Sequence, residues 1–394
     1  MRRILVLFLL CTSISSCSFF GEKNKVGDYI DKPDYSLKSV EYVPVLPNFG
    51  AGITPVSLYA GYDELLYAVD SAKAILSFDA AGNELGRFNL PGVSFVIQNR
   101  SLDLFALGRI DTIFNGLTYN LPVIYKLSQK TGFEGSSGLG LNLSGATIKG
   151  KYVYPWCINE PGKLFQKKDL EQVTFGSIGF MDDNSYYVTS SGPTETGSFI
   201  TKRNSVLTFN NKGVFQGGFS EGDISPAGLS TLIQPPQRAR METKKDFIYT
   251  SITPDLAISV RYMEVILDKE LGLSINFKPL PSPAANEANG SMYQTFKFKK
   301  PSSVLYAGTS QKLIFVADSE KDSIFVFQEN GFEGVSPPPQ YTNRKLINVS
   351  FGGNGNGPKQ FKRPGSVAFF RSTLYVADAG NKRISRYKLT SDYE

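Results

Sequence analysis

Beyond residue 20 the apolar positions never hold a helical period for long. They fall in short aromatic and β-branched runs, each closed by Gly, Asn, Asp or Pro, the pattern of consecutive strands and turns. Three runs repeat. Leu66-Tyr67-Ala68-Val69-Asp70 leads into Ile75-Leu76-Ser77-Phe78, Ile314-Phe315-Val316-Ala317-Asp318 into Ile324-Phe325-Val326-Phe327, and Leu374-Tyr375-Val376-Ala377-Asp378 into Ile384-Ser385-Arg386-Tyr387. Each has a proline upstream, Pro55, Pro301 and Pro364, and the last two share the lead-in Phe-Lys-Lys/Arg-Pro-x-Ser-Val. Proline suits the first position of a strand, where its missing N–H breaks no ladder.

A second marker is a phenylalanine with glycine four residues on: Phe78 with Gly82, Phe209 with Gly213, Phe327 with Gly331. Taking the strands near 78, 127, 209, 266, 327 and 387 as the last of their units gives intervals of 49, 82, 57, 61 and 60 residues. Radially repeated β units recur about every 40–50 residues. Six units therefore fit, with insertions at 133–170, 220–245, 268–299 and 332–350.

The stretch from Gly355 to Leu389 is the most specific. Pro364, Val367, Tyr375, Val376, Ala377, Asp378, Asn381, Arg383 and Ile384 follow the pattern of the NHL repeat, a β-propeller blade, with Ser366 standing where that repeat has glycine. The 301–331 unit resembles it in part, with Ser303 for the glycine and Lys321 and Ser323 for the Asn and Arg; 55–82 is weaker, and 90–300 follows by strand rhythm alone. The resemblance implies an all-β fold in which residues 53–394 form a single NHL-like β-propeller, six four-stranded blades with long inter-blade insertions. Val367–Phe369 and Leu374–Val376 would be inner strands. Asp70, Asp318 and Asp378 are then structural: Asp378 is expected to accept N–H groups from the turn Ala379-Gly380-Asn381, and Arg383 to pair with an acid of the neighbouring unit.

The amino terminus carries a different signal. Arg2-Arg3, the apolar run Ile4–Leu10 and the small residues before Cys17 describe a secretory leader too short to span a bilayer. Ile14-Ser15-Ser16-Cys17 resembles the lipobox of bacterial lipoproteins, which implies a signal peptide over 1–16, cleavage before Cys17 and lipidation there. Residues 17–52, polar and holding Pro33, Pro44 and Pro47, read as the lipidated cysteine and a flexible tether, with a first strand over Val40–Val43 as an alternative for its end. Ser18 in place of aspartate favours the outer membrane, and so a cell-envelope protein held to the membrane by its lipid. Cys11 leaves with the leader and Cys157 has no partner, so no internal disulfide forms; Cys157 beside Trp156 reads as a small buried hydrophobe.

Composition narrows the chemistry. The chain has no histidine, which excludes Ser-His-Asp triads and histidine-bound zinc. Its 29 Phe and 20 Tyr suit pleated, half-buried surfaces. Net charge is +6, or +4 once Arg2 and Arg3 are removed. Basic residues gather late, and Lys359, Lys362, Arg363, Lys382, Arg383 and Arg386 are the candidate binding residues, a face for polyanions such as lipopolysaccharide or acidic glycans; solvated edge lysines that oppose aggregation are the alternative. Lys297, Lys299, Lys300 and Lys388 extend the group, and Arg238, Arg240, Lys244 and Lys245 form a second one. No catalytic or metal motif is present: Asp182-Asp183-Asn184 reads as a hairpin turn, Gly352–Gly357 as an inter-blade loop, and Gly135–Ser144 as a flexible insertion. The expectation is a monomeric binding or scaffold module for an envelope protein or polysaccharide, with no nucleic-acid partner and no cofactor. The alternative is a lactonase-like propeller hydrolase, which would hold calcium in its central channel.

Overall fold

The computed structural model describes residues 39–71, 73–114, 116–131, 141–154, 167–192, 204–220, 222, 224–232, 245–268, 272–277 and 290–393. The leader, Cys17, Trp156, Cys157, Arg238, Arg240 and Lys244 lie outside them. The unit that begins at Val40 contains six antiparallel four-stranded sheets. The first strand, β1 (Tyr42–Pro44), belongs to the last sheet. Blade 1 is β2 (Pro55–Ala60), β3 (Leu66–Asp70), β4 (Ala74–Phe78) and β5 (Glu84–Asn89). Blade 2 is β6 (Phe95–Gln98), β7 (Leu104–Phe114), β8 (Leu117–Thr131) and β9 (Leu141–Val153). The short helix α1 (Lys167–Gln172) precedes blade 3, which is β10 (Thr174–Phe180), β11 (Tyr186–Ser191), β12 (Ser205–Phe209) and β13 (Phe215–Phe219). Blade 4 is β14 (Pro226–Thr231), β15 (Phe247–Ser251), β16 (Val260–Asp268) and β17 (Gly272–Phe277). Blade 5 is β18 (Pro301–Tyr306), β19 (Leu313–Asp318), β20 (Ser323–Gln328) and β21 (Phe351–Gly352). Blade 6 is β22 (Pro364–Phe370), β23 (Thr373–Asp378) and β24 (Arg383–Leu389), with β1 as its outer strand. First strands pack on one another around the ring, and β22 returns to β2. This is a six-bladed β-propeller, and β22 and β23 are inner strands as expected.

Two boundaries differ from the sequence reading. The strands at 78, 127, 209, 266, 327 and 387 are third strands; a fourth follows each of the first five, and β1 supplies the fourth of blade 6. Insertions assigned to 133–170 and 268–299 accordingly contain β9 and β17, and Leu141–Ser144 of the glycine-rich stretch is strand. The propeller also begins before residue 53. Tyr42 pairs with Leu389 and Pro44 with Tyr387, Phe49 exchanges backbone bonds with Ile384, and Val40, Tyr42 and Phe49 are buried. The end of the supposed tether therefore closes the ring, and the strand alternative for Val40–Val43 is the one observed.

Blade junctions are filled by rings, which accounts for the aromatic content. Tyr187 meets Phe247 at 4.8 Å between blades 3 and 4, Phe315 stacks on Phe369 at 5.5 Å between blades 5 and 6, and Phe49 lies between Phe78 and Tyr375 where blade 6 meets blade 1. Hydroxyls bridge the inner strands: Ser177 donates to Leu229 O, Ser302 to Pro364 O, and Ser230 accepts Tyr306 N–H. Ser366 accepts Leu58 N–H at 3.1 Å. The departure from glycine at Ser366 thus has a cause, a bond from blade 6 to blade 1. A buried N–H left without it costs about 1–3 kcal/mol.

Candidate binding face

In an antiparallel meander the start of strand one, the turn between strands two and three, and the link to the next blade share one end. Hairpins one–two and three–four share the other. We call these the lead-in face and the hairpin face.

The repeated aspartates organise the lead-in face. Asp318, fully buried, accepts four backbone N–H groups: Lys299 at 2.6 Å, Lys300 at 3.1 Å, and Glu320 and Lys321 at 3.0 Å each. Asp70 accepts Thr54 N–H at 2.9 Å. Asp378 accepts Lys362 N–H at 2.8 Å, the Asn381 amide at 2.8 Å and Arg383 Nε at 2.9 Å. Each carboxylate thus ties the end of strand two to the residues before the proline that opens strand one. For Asp378 this corrects the expected bonds to the following turn: backbone N–H groups come from the lead-in, and only the Asn381 side chain from the turn. In blade 4 no aspartate stands there, and Thr253 Oγ1 accepts Ser225 N–H at 2.8 Å instead.

Of the six basic candidates, the structure divides one half from the other. Arg383 pairs with Asp378 of its own blade, not a neighbour's, and its other guanidinium nitrogens donate to the carbonyls of Asn356, Gly357 and Gln360 in the glycine-rich loop. That loop needs glycine at Gly352, whose Cβ would lie 2.5 Å from Asp322 O at φ +143°. Arg386 is buried; it donates to Pro47 O and lies over the Phe49 ring at 4.1 Å. Lys359 is paired with Glu41. The remaining three share the lead-in face. Arg363 and Lys382 are exposed, Lys362 is half-buried, and Lys362 O accepts Gly380 N–H, joining the lead-in to the turn. Arg363 and Lys382 both sit in left-handed backbone, at φ 51° and 54°, a conformation uncommon for such residues. The Arg363 N–H donates to Asp322 of blade 5 at 2.7 Å.

Exposed Lys299 and Lys300 of blade 5 and Lys73 of blade 1 lie at the same end. Lys73 was missed in the sequence, although it follows Asp70 as Lys321 follows Asp318. The Lys321 ammonium is held by Lys297 O at 2.5 Å. Among the described residues, the side chains of Lys73, Lys299, Lys300, Lys362, Arg363 and Lys382 have no acidic partner, though exposed Glu320 shares this end.

The hairpin face contrasts with this. Four of its cations are matched, Arg100 with Asp182, Lys126 with Asp103 at 2.9 Å, Lys312 with Glu329 at 2.9 Å and Arg371 with Glu64 at 2.5 Å, while Lys212, Arg344 and Lys345 at this end have no acidic partner among the described residues. Asp182-Asp183-Asn184 is the turn between β10 and β11. Desolvation pushes the Asp183 carboxyl up, but the Ser185 hydroxyl and amide and nearby Lys245 hold it below the usual carboxylate range. Among the described residues no three Cys, Asp or Glu side chains gather to hold a metal ion.

No protein-family model and no curated protein matches the chain. Solved structures do. A PQQ-bound aldose sugar dehydrogenase from Streptomyces coelicolor is 12% identical over 89% of this chain and 98% of its own, with a TM-score of 0.51. A luciferin-regenerating enzyme is 14% identical over 89% and 95%, with a TM-score of 0.48. An auxiliary nutrient binding protein from Bacteroides ovatus is 11% identical over 89% and 77%, with a TM-score of 0.47. The likeness is one of fold.

Proposed function

We propose that the protein is a lipid-anchored recognition module of the cell envelope, of the outer membrane in particular, whose lead-in face takes an anionic envelope polysaccharide. One observation carries this reading: six cations on blades 5, 6 and 1, Lys73, Lys299, Lys300, Lys362, Arg363 and Lys382, share the lead-in face and have no acidic partner among the described residues. Unpaired charge on a rigid scaffold attracts polyanions from a distance and is screened over about 8–10 Å at physiological salt. The conspicuous carboxylates Asp70, Asp318 and Asp378 are consumed by backbone bonds, which leaves them structural and supports binding over hydrolysis.

Two experiments test the reading. The triple variant Lys362→Glu, Arg363→Glu, Lys382→Glu is expected to lose at least about tenfold in affinity for polygalacturonate, and stability should stay within about 0.5 kcal/mol because the sites are on the surface. Binding by the unaltered chain should weaken as salt rises, and neutral dextran should not bind at this face. Equal affinity in the variant, measured by titration calorimetry, defeats the proposal; retention of an acidic protein but no glycan redirects it to a protein partner. For the anchor, Cys17→Ser is expected to move the protein from the membrane to the soluble fraction and to abolish incorporation of labelled palmitate. An unchanged distribution rejects lipidation at Cys17.

A further inference from the structure

The cationic group of the lead-in face is absorbed by the reading above. The exposed apolar residues Ile113 and Leu117 at the β7–β8 tip, and Phe296, have nothing beside them that names an occupant. The buried Lys297–Glu333 pair, at 2.7 Å, is closed off by Ser350 and by the rings of Phe325 and Phe327 and is structural. A cavity on the hairpin face goes further.

Between the first hairpins of blades 5 and 6 lies a cavity of about 340 Å³. It has an apolar floor and a polar rim. Leu313, Leu389 and Phe369 make the floor; Gln311, Arg371 and Asp392 stand in the rim, and Tyr42 of the closing strand reaches it. The rim groups are held in place from outside. Gln311 Oε1 accepts Ser336 N–H at 2.7 Å, which aims the amide and leaves its N–H₂ without a partner among the described residues. The Arg371 guanidinium lies 5.1 Å from the Phe370 ring centre and is bound by Glu64 of blade 1. Asp392 takes a hydrogen bond from Ser372; burial raises its carboxyl above the ordinary value, against Lys388 and that bond. Burial also raises the Tyr42 phenol far above its usual range, so its hydroxyl stays neutral.

Arg371 and Ser372 are consecutive residues in left-handed backbone, at φ 47° and 57°. That turn ordinarily calls for Asn-Gly. Strain of this kind persists where surrounding structure fixes it, and it clusters at ligand sites.

We propose that this cavity is a second binding site, separate from the lead-in face, for one uncharged sugar ring. The chemistry matches on three counts. Its volume is at the lower end of small-ligand pockets, ~300–1,000 Å³, and equals roughly eleven waters at ~30 Å³ each, close to the heavy-atom count of a hexose. A pyranose has an apolar C–H face to set on this apolar floor and a rim of hydroxyls that both donate and accept. Here the rim offers the Gln311 amide as donor, Asp392 as acceptor, and the Tyr42 hydroxyl as either. Arg371 is already neutralised by Glu64, and Asp392 repels anions, so the site disfavours the acidic polymer assigned to the opposite face.

The test uses the full chain in detergent, with methyl glycosides of glucose, galactose and mannose as probes. Saturable binding of at least one of them is expected by saturation-transfer NMR and calorimetry. Asp392→Ala and Ser310→Trp, the second filling the cavity from its rim, should each weaken it about tenfold or more with the melting temperature unchanged. The lead-in variant Lys382→Glu should bind sugar normally, which separates this site from the polyanion face. The proposal is overturned if a natively melting chain binds none of the three glycosides, if both cavity variants bind as well as the unaltered chain, or if glucuronate displaces the neutral sugar more effectively than glucose does.

Discussion

A chain that starts at Ile53 is expected not to fold, whereas one that starts at Ser39 should be as stable as the whole protein. The segment between them adds Val40, Tyr42 and Phe49 to the core. Burial of each such side chain is worth about 1.5–3 kcal/mol, or roughly 5–9 kcal/mol together, against a total stability of about 5–15 kcal/mol. Tyr42 lies against Phe315 and Phe351 at 6.0 and 5.6 Å, and Phe49 against Phe78 and Tyr375. Its loss would also strip Arg386 of the Pro47 carbonyl, which takes two of its hydrogen bonds, and of the ring it covers, and would expose β24 as an open edge prone to aggregation. Urea unfolding with size-exclusion chromatography decides the matter. A cooperative, monomeric transition in the 53–394 chain would return these residues to the role of a tether.

Asp318→Ala should cost about 3–5 kcal/mol, more than almost any single surface change, because it orphans four backbone N–H groups around a buried site. In melting temperature this is roughly 6–10 °C, at ~2 °C per kcal/mol for a domain of this size. Thermal unfolding followed by circular dichroism measures it. Asp70→Ala, with one such bond, at Thr54, should lose much less. If the two variants melt together, the carboxylates do not act through these bonds.

The aspartates were legible in the sequence because their partners are local: Lys299 and Lys362 precede Asp318 and Asp378 by fewer than twenty residues. Third strands were legible for the same reason, their apolar residues being buried on both faces, as Ala74–Phe78 is. Fourth strands were not. Glu84–Asn89 and Phe215–Phe219 face solvent over much of their length, so their residues carry little apolar signal, and each blade was closed one strand early. The closing strand was hidden more deeply, since Tyr42 pairs with Leu389 across nearly the whole chain. Arg386 and Lys359 were placed on the binding face because their charge is visible in sequence and their distant partners Pro47 and Glu41 are not, and Arg383 because its acid was sought in the neighbouring unit when it lies five residues away at Asp378. The cavity at Arg371 left no signal at all; its rim draws on residues from Gln311 to Asp392.

The pairing of β1 with β24 also sets a schedule. Residues 42–44 leave the ribosome long before their hydrogen-bonding partners, 387–389. Blade 6 therefore cannot be completed during synthesis, and the ring stays open until the final strand arrives. Contacts of such long sequence separation slow folding, since loop closure must precede their reward. In the interval Tyr42 and the edge of β24 are exposed and open to pairing with another chain. A nonsense mutation anywhere before residue 383 would leave β1 permanently without a partner, so closure of the ring is itself a check that translation has passed blade 6.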